Sequence, residues 1–131
     1  MTQNALWQLF RTRYGLVATP QFALQSYRSD SQQDGQLRLT ASIATQGGTR
    51  QLEGQGNGLL SAAAQGLSRW ISAPFVIKDY HEHTLGERSD SRSVAYIRCL
   101  FQDGSSRWGV GIDSDVARAS LQALLNAVSR S

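Results

Sequence analysis

Hydrophobic and polar residues alternate with a period of two along most of the chain, which is the pattern of strands with one buried face. Leu37, Leu39, Ala41 and Ile43 form the clearest case, and a continuous apolar run at 94–101 is typical of a more deeply buried strand. Gly47-Gly48 and Asp103-Gly104 predict hairpin turns, and polar segments at 29–35 and 86–91 predict loops. The pattern therefore predicts six strands, at about 22–28, 37–43, 50–53, 75–85, 94–101 and 107–111.

The period changes to that of a helix in three segments. The first, Asn4 to Tyr14, presents a large apolar face and stops before Gly15. The second follows three closely spaced glycines and runs to Ile71, with Asn57 as the expected N-cap. Asp113, Ser114 and Asp115 predict the cap of the third, whose inward face is Val116, Ala119, Ala123, Leu124 and Ala127.

The same order of elements occurs twice. Each half has three strands, a Gly-x-Gly motif and an Ala-rich helix, and Gly54 and Gly56 match Gly109 and Gly111 at a spacing of 55 residues. Two such units bury most apolar surface by pairing, so we expect an α+β fold of two pseudo-twofold-related βββα units preceded by a short helix. The expected boundaries are 1–18 for that helix fragment and 19–131 for the domain, with units at about 19–72 and 73–131.

Composition narrows the function more by exclusion than by assignment. At 131 residues the chain suits one domain. The single cysteine, Cys99, lies among apolar neighbours, so we expect a buried thiol and a cytoplasmic protein. No apolar run approaches a membrane span, and the net charge of +3 is carried by dispersed arginines. Membrane and nucleic-acid partners are therefore not expected.

Two clusters could carry chemistry. The backbone N–H groups of the 54–58 helix entrance could hold a carboxylate or phosphate, although glycines there are also typical of a tight strand-to-helix turn. Asp79, His81 and His83 share one strand face, but no fourth ligand is indicated and we expect no metal. The opposite face of that strand, with Tyr80, Glu82 and Thr84, could line a small ligand pocket. No nucleophile motif is present, so catalysis by this chain alone is not expected.

Three motifs together resemble the C-terminal regulatory domain of 2-isopropylmalate synthase. They are the Gly-rich helix entrance at 54–58, the Asp-Tyr-His-Glu-His strand at 79–83 and the Trp-Gly-Val-Gly-Ile turn at 108–112. The resemblance covers essentially the whole chain. It includes the Trp7 helix, which is similar to the linker subdomain that precedes the regulatory domain in this family.

The resemblance implies a homodimeric domain that binds L-leucine, the end product that inhibits the synthase. The full-length enzymes condense acetyl-CoA with 2-oxoisovalerate on a catalytic barrel that carries a divalent metal. These 131 residues cannot supply that barrel, so we expect an inactive fragment without a cofactor, joined to the barrel in the full-length polypeptide.

The expected leucine site combines chemistry and resemblance. The N–H groups after Asn57 and Gly58 could hold the carboxylate, and carbonyl groups of the strand bearing Tyr80 could accept from the ammonium. Ile77 has the opposite strand parity to Tyr80, so the two share a face only if a bulge lies between them. Matching to the family motif places eight residues near the ligand: Leu60, Ser61, Ile77, Tyr80, Thr84, Ser91, Ser93 and Ile112.

Two alternative functions remain open. Ser61, Thr84, Ser91 and Ser93 stand where relatives often have alanine-like residues, which makes the pocket narrower and more polar. The domain could then be a structural dimerisation element with a degenerate pocket, or the isoleucine-sensing domain of citramalate synthase. The Trp7 helix and the 79–83 strand favour the isopropylmalate enzyme. The order of three strands before each helix disfavours the ACT fold.

Overall fold

Two units of three strands and one helix make up the part of the chain that the structure, a computed structural model, describes: residues 21–85 and 91–129. In the first unit, β1 (Ala23–Ser31), β2 (Leu37–Thr45) and β3 (Gly48–Gly56) precede α1 (Leu59–Ile71). In the second, β4 (Phe75–Leu85), β5 (Arg92–Phe101) and β6 (Ser106–Asp113) precede α2 (Val116–Ser129). Both sheets are antiparallel in chain order, which confirms the predicted α+β fold of two βββα units. The predicted helix at 4–14 and the boundary at 18/19 lie outside the described residues.

Five of the six strands are longer than the hydrophobic pattern predicts, and β4 has the predicted bounds. β3 continues beyond Glu53 because Gly54 and Gly56 keep pairing with Leu39 and Leu37 of β2. Glycine has low strand propensity, so a pattern based on side chains ends such a strand too early. β1 similarly extends through Ser31, which belonged to the predicted loop, and the turn follows at 32–36.

Glycines bring each helix into backbone contact with its sheet. A Cβ atom on Gly54 of β3 would lie 1.9 Å from the carbonyl oxygen of Ala62 in α1. Gly66 of α1 faces back, and its Cβ would lie 2.5 Å from the carbonyl oxygen of Glu53. In the second unit, a Cβ on Gly111 would lie 2.1 Å from the carbonyl oxygen of Ala119. A side chain at these positions would push the helix off the sheet.

These contacts also fix how the two units correspond. Gly54 meets residues 62 and 66, and Gly111 meets residues 119 and 123. Residue 54 therefore corresponds to 111, at an offset of 57 residues, and the predicted match of Gly54 to Gly109 at 55 is wrong. The sequence comparison aligned the two Gly-x-Gly motifs, but the packing aligns each glycine with the helix residue eight positions later.

One apolar core joins the two units. Leu39, Ile43 and Leu67 of the first unit share it with Ile97 and Leu124 of the second, each at 0–1% exposure. Cys99 lies in the same core, and burial raises the pKa of its thiol to about 12, which confirms the predicted buried cysteine. Alternate residues of β5 form a second cluster on the other face of the sheet: Val94 and Tyr96, with Val110. Burial on both faces explains the continuous apolar run of β5.

Polar side chains of α2 hold the start of β1 across the boundary between the units. Gln122 Oε1 accepts from Leu24 N at 2.8 Å, and Gln122 Nε2 donates to Phe22 O at 2.8 Å. Arg118 Nη2 donates to the carbonyl oxygens of Leu24 and Gln25, both at 3.3 Å. β1 has a register irregularity between Leu24 and Ser26, at this clamp.

Alanine at the glycine contacts should destabilise the domain. We expect Gly54→Ala and Gly111→Ala each to lower the free energy of unfolding by about 2 kcal/mol or more, because the new methyl group collides with helix backbone that cannot rotate away. Gly47→Ala is the matched control, since a Cβ there meets nothing within 4 Å. Urea unfolding followed by circular dichroism measures all three. Equal stability of Gly54→Ala and Gly47→Ala would contradict the packing role.

Removal of the Gln122 side chain should also weaken the domain. Gln122→Ala leaves an amide hydrogen of β1 and the Phe22 carbonyl without these protein partners, at a cost of about 1–3 kcal/mol. Gln102→Ala, in the exposed turn after β5, is the control and should change the unfolding free energy by less than about 0.5 kcal/mol. Chemical denaturation measures both variants. If the curves of Gln122→Ala and Gln102→Ala superimpose, the hydrogen bonds of Gln122 do not stabilise the domain.

Candidate ligand-binding site

The first turn of α1 has backbone N–H groups without a side-chain cap. The N-cap is Gly58, in an extended conformation at φ −154° and ψ −177°, and Ala62 N donates to its carbonyl oxygen at 3.0 Å. Asn57 is therefore not the N-cap, which corrects the prediction. It is exposed, and its Oδ1 accepts from Gln36 Nε2 at 3.2 Å instead. The N-terminus of α1 thus offers its positive dipole end to an outside anion.

The first turn of α2 is capped by the chain's own carboxylates. Ala117 N donates to Asp115 Oδ1 at 3.0 Å, and Asp115 N donates to Asp113 Oδ1 at 3.0 Å. Arg118 Nε lies 3.4 Å from Asp113 Oδ2. The predicted acidic cap is confirmed, and an external anion would meet two carboxylates here.

A cavity of about 430 Å³ opens between the N-terminal turns of the two helices and the inner face of β4. Its wall combines leucine, valine and alanine side chains with a tyrosine, a glutamate and two serines: Gly58, Leu59, Leu60, Ser61, Tyr80, Glu82, Val116, Ala117 and Ser120. A more polar recess of about 510 Å³ adjoins it and shares Glu82 and Val116. Glu82, His83, Thr84, Ser93 and Val116 line that recess. Both volumes are in the range of small-molecule sites.

A bulge in β4 determines which side chains face this cavity. Tyr80 pairs with Ile97, whereas Ile77 pairs with Cys99, and the register shifts between Ile77 and Asp79. The extra residue, Lys78, returns Ile77 to the inner face that carries Tyr80. The bulge needed to place Ile77 and Tyr80 on one face of β4 is therefore present. Ile77 packs against the core beside the cavity and is not part of its wall.

Hydroxyl and carboxylate groups form one connected cluster in the cavity. Tyr80 donates to Glu82 Oε2 at 2.6 Å, and its oxygen lies 2.7 Å from Ser120 Oγ. Ser120 Oγ donates to the carbonyl oxygen of Val116 at 2.9 Å. Partial burial, and to a smaller extent the hydrogen bond to Glu82, raises the pKa of Tyr80, so its hydroxyl keeps its proton at neutral pH.

The predicted site residues divide into three groups. Gly58, Leu60, Ser61 and Tyr80 meet in the cavity, and Thr84 and Ser93 line the recess. Ile112 pairs with Val94 and lies on the opposite face of the sheet from Tyr80. Asn57, Ile77 and Ser91 line neither space.

The prediction missed several lining residues, most of them on α2: Leu59, Val116, Ala117 and Ser120. Val116 stood in the predicted inward face of the last helix, but its 43% exposure shows that this face opens at its first turn. The sequence held one signal of this polar wall, because Ser120 is a serine one helical turn after Val116 on the predicted inward face.

The other face of β4 carries Asp79, His81 and His83, and each contacts a neighbouring side chain. Asp79 forms an ion pair with Arg98, His81 stacks on Trp108 at 6.3 Å, and Tyr96 Oη lies 3.3 Å from His83 Nδ1. Within residues 21–85 and 91–129, no three His, Cys, Asp or Glu side chains are grouped to hold a metal ion. No helix in the same ranges is long and apolar enough to cross a membrane.

The fold is an α+β domain of two paired βββα units, with a cavity of small-molecule size between the first turns of its helices. The chain belongs to the family of the LeuA allosteric (dimerisation) domain, whose family model matches residues 1–131. This confirms the family that the sequence motifs indicated.

Relatives with this domain are much longer proteins. The chain is 40% identical over 124 residues to a 2-isopropylmalate synthase of Marinomonas sp. and 34% identical over 125 residues to one of Thermobifida fusca. A third, from Rhodospirillum rubrum, is 35% identical over 130 residues. The matches cover 93%, 95% and 98% of this chain but only 22%, 21% and 23% of those proteins. The chain therefore spans about a fifth of the length of these relatives.

His83 should make stability depend on pH. Burial lowers the pKa of His83 below its ordinary value of 6.5, so the unfolded chain binds this proton more readily than the folded one. The histidine's contribution to stability is complete above pH 6.5 and is lost as pH falls from there towards the lowered pKa. We expect wild type to lose more unfolding free energy between pH 7.5 and 5.5 than His83→Gln. Urea titrations across that range test this, and parallel curves would contradict it.

Proposed function

We propose that this chain is the regulatory domain of a 2-isopropylmalate synthase and binds L-leucine as a feedback inhibitor. The observation that carries the proposal is the pairing of opposite electrostatic features around one cavity. The uncapped N-terminus of α1 is suited to a carboxylate, and the Tyr80, Glu82 and Ser120 cluster is suited to an ammonium group. A free amino acid carries both charges.

The apolar part of the wall suits a branched side chain. Leu59 and Leu60 come from α1, and Val116 and Ala117 come from α2, so an aliphatic group between the helices would be desolvated from both sides. All ten predicted ligand contacts remain predictions, and four of them, Asn57, Ile77, Ser91 and Ile112, line neither the cavity nor the recess.

The activity of the full-length protein is part of the same proposal. We propose that the full-length protein is a 2-isopropylmalate synthase, as these relatives are named, and that it condenses acetyl-CoA with 2-oxoisovalerate on a catalytic barrel that these 131 residues do not supply. We propose that the domain forms a homodimer, in line with the family's description, that it is attached to that barrel in the cytoplasm, and that it needs no cofactor of its own.

A structural dimerisation role is the second candidate. The hydroxyl groups of Ser61, Thr84 and Ser93 make the cavity and its recess more polar than an isobutyl pocket requires, and this favours a degenerate site. An isoleucine-sensing domain of citramalate synthase is less favoured, because the relatives compared above are all named 2-isopropylmalate synthase.

Calorimetry with branched-chain amino acids tests the leucine site. We expect L-leucine to bind in preference to L-isoleucine and L-valine. Val116→Trp should fill the cavity and weaken leucine binding by about tenfold or more, equivalent to about 1.4 kcal/mol. Val76→Trp is the matched control, because Val76 is also an exposed valine, at 55% against 43%, but lies on the other face of β4.

The same titration separates the two candidates. A wild-type domain that gives no heat with any of the three amino acids would overturn the regulatory proposal. Sedimentation velocity would then test the dimerisation role, which requires a dimer whose mass is the same with and without leucine.

A further inference from the structure

The cluster on the floor of the cavity contains fewer hydrogens than its contacts require. Three pairs of oxygen atoms lie at hydrogen-bond distance: Tyr80 to Glu82 at 2.6 Å, Tyr80 to Ser120 at 2.7 Å and Ser120 to the Val116 carbonyl at 2.9 Å. A carbonyl and an ionised carboxylate only accept, so the tyrosine and the serine must supply every hydrogen, one each. Two hydrogens cannot serve three contacts.

The missing hydrogen has two possible sources, a proton on Glu82 or a donor that enters the cavity. Glu82 is an exposed residue, so a donor that enters the cavity can reach its carboxylate. An entering donor is therefore the source that the geometry favours. A cationic donor forms the strongest bond to a carboxylate, because both partners are charged.

We infer that Glu82 accepts a hydrogen bond from the α-ammonium group of the bound amino acid. The Tyr80 hydroxyl then changes the acceptor of its hydrogen bond from Glu82 to Ser120. In the free domain Tyr80 donates to Glu82. When the ammonium donates one hydrogen to Glu82 and another to the Tyr80 oxygen, it replaces the direct bond between those two side chains. The hydroxyl hydrogen of Tyr80 then turns to Ser120 Oγ, Ser120 donates to the Val116 carbonyl, and each of these contacts has one hydrogen. This inference rests on the proposed amino-acid site and adds the residue that determines its specificity.

Discrimination between chemical classes follows. The uncapped turn of α1 would accept the carboxylate of a 2-oxo acid, a 2-hydroxy acid or an amino acid with the same carbon skeleton. Only the amino acid brings a cation to Glu82. A 2-oxo acid brings an acceptor, which would leave the carboxylate facing a carbonyl oxygen. The Glu82 carboxylate therefore selects against the acids that differ from the amino acid only at the second carbon.

The test compares L-leucine with L-2-hydroxyisocaproate, which replaces the ammonium by a hydroxyl group. Calorimetry on the wild-type chain should show leucine binding about tenfold or more tightly than the hydroxy acid. In Glu82→Gln, leucine affinity should fall by about tenfold while hydroxy-acid affinity changes by less than about threefold, so the preference disappears. Glu53→Gln is the matched control, since Glu53 is an exposed strand glutamate of β3 away from the cavity, and it should keep the wild-type preference.

Each result decides the inference. If leucine binds and Glu82→Gln weakens both ligands equally, Glu82 has only a structural role and the ammonium assignment fails while the leucine site stands. If leucine binds wild type and Glu82→Gln with equal affinity, the assignment fails in the same way. If wild type binds no branched-chain amino acid, the proposed function and this inference are both overturned. Far-ultraviolet circular dichroism of Glu82→Gln verifies that the variant is folded.

Discussion

Direct backbone contact between each helix and its sheet is the constraint on which the rest of this domain depends. Where Gly54 meets α1 and Gly111 meets α2, no side chain separates the strand from the helix. The close approach at these glycines sets the distance between each helix and its sheet. Both helices begin at the same end of the shared core, and their first turns become opposite walls of one cavity. The packing of the helices and the shape of the cavity are therefore determined by the same glycines.

The sequence motif that first suggested phosphate or carboxylate chemistry has a different physical role. Gly54 and Gly56 lie within β3 and pair with β2, and Gly54 lies beneath the helix rather than in a loop that cradles a ligand. The proposed carboxylate site is in the next segment, where Gly58 leaves the first turn of α1 without a side-chain cap. A glycine-rich strand end can thus make a site by lowering a helix onto a sheet, with the anion-facing groups supplied a turn later.

Periodicity predicted the elements well because one face of nearly every strand is buried. It failed where side chains do not report burial, as in the glycines that prolong β3 and in the bulge at Lys78 that shifts the parity of β4. Part of the site could be predicted in the same way, because Tyr80 and Thr84 lie on one face of a strand that the periodicity predicts. Ser120 marks the polar part of the inward face of α2 in the sequence, but its position opposite Leu60 could not be predicted, because the two residues belong to halves that are distant in sequence. Asn57 was assigned as a cap on residue preference, and the backbone placed Gly58 there instead.

The second sheet, formed by β4, β5 and β6, has two chemically different faces. The inner face presents Tyr80 and Glu82 to the cavity, and the outer face presents the His81 and Trp108 pair. β5 is buried against apolar clusters on both sides, so it works as a partition between them. Ile112 lies on the outer side of this partition, and a ligand held against Tyr80 is on the other side.

The unequal capping of the two helices breaks the symmetry of the repeat. A duplicated βββα unit would carry two equivalent helix N-termini and, with them, two equivalent anion sites. In this chain Asp115 caps α2 from within, while α1 has a glycine at the same position. Among the described residues, one carboxylate therefore leaves a single uncapped helix N-terminus at the cavity. The proposed site would accordingly hold one amino acid per chain in one orientation, with its carboxylate towards the first unit.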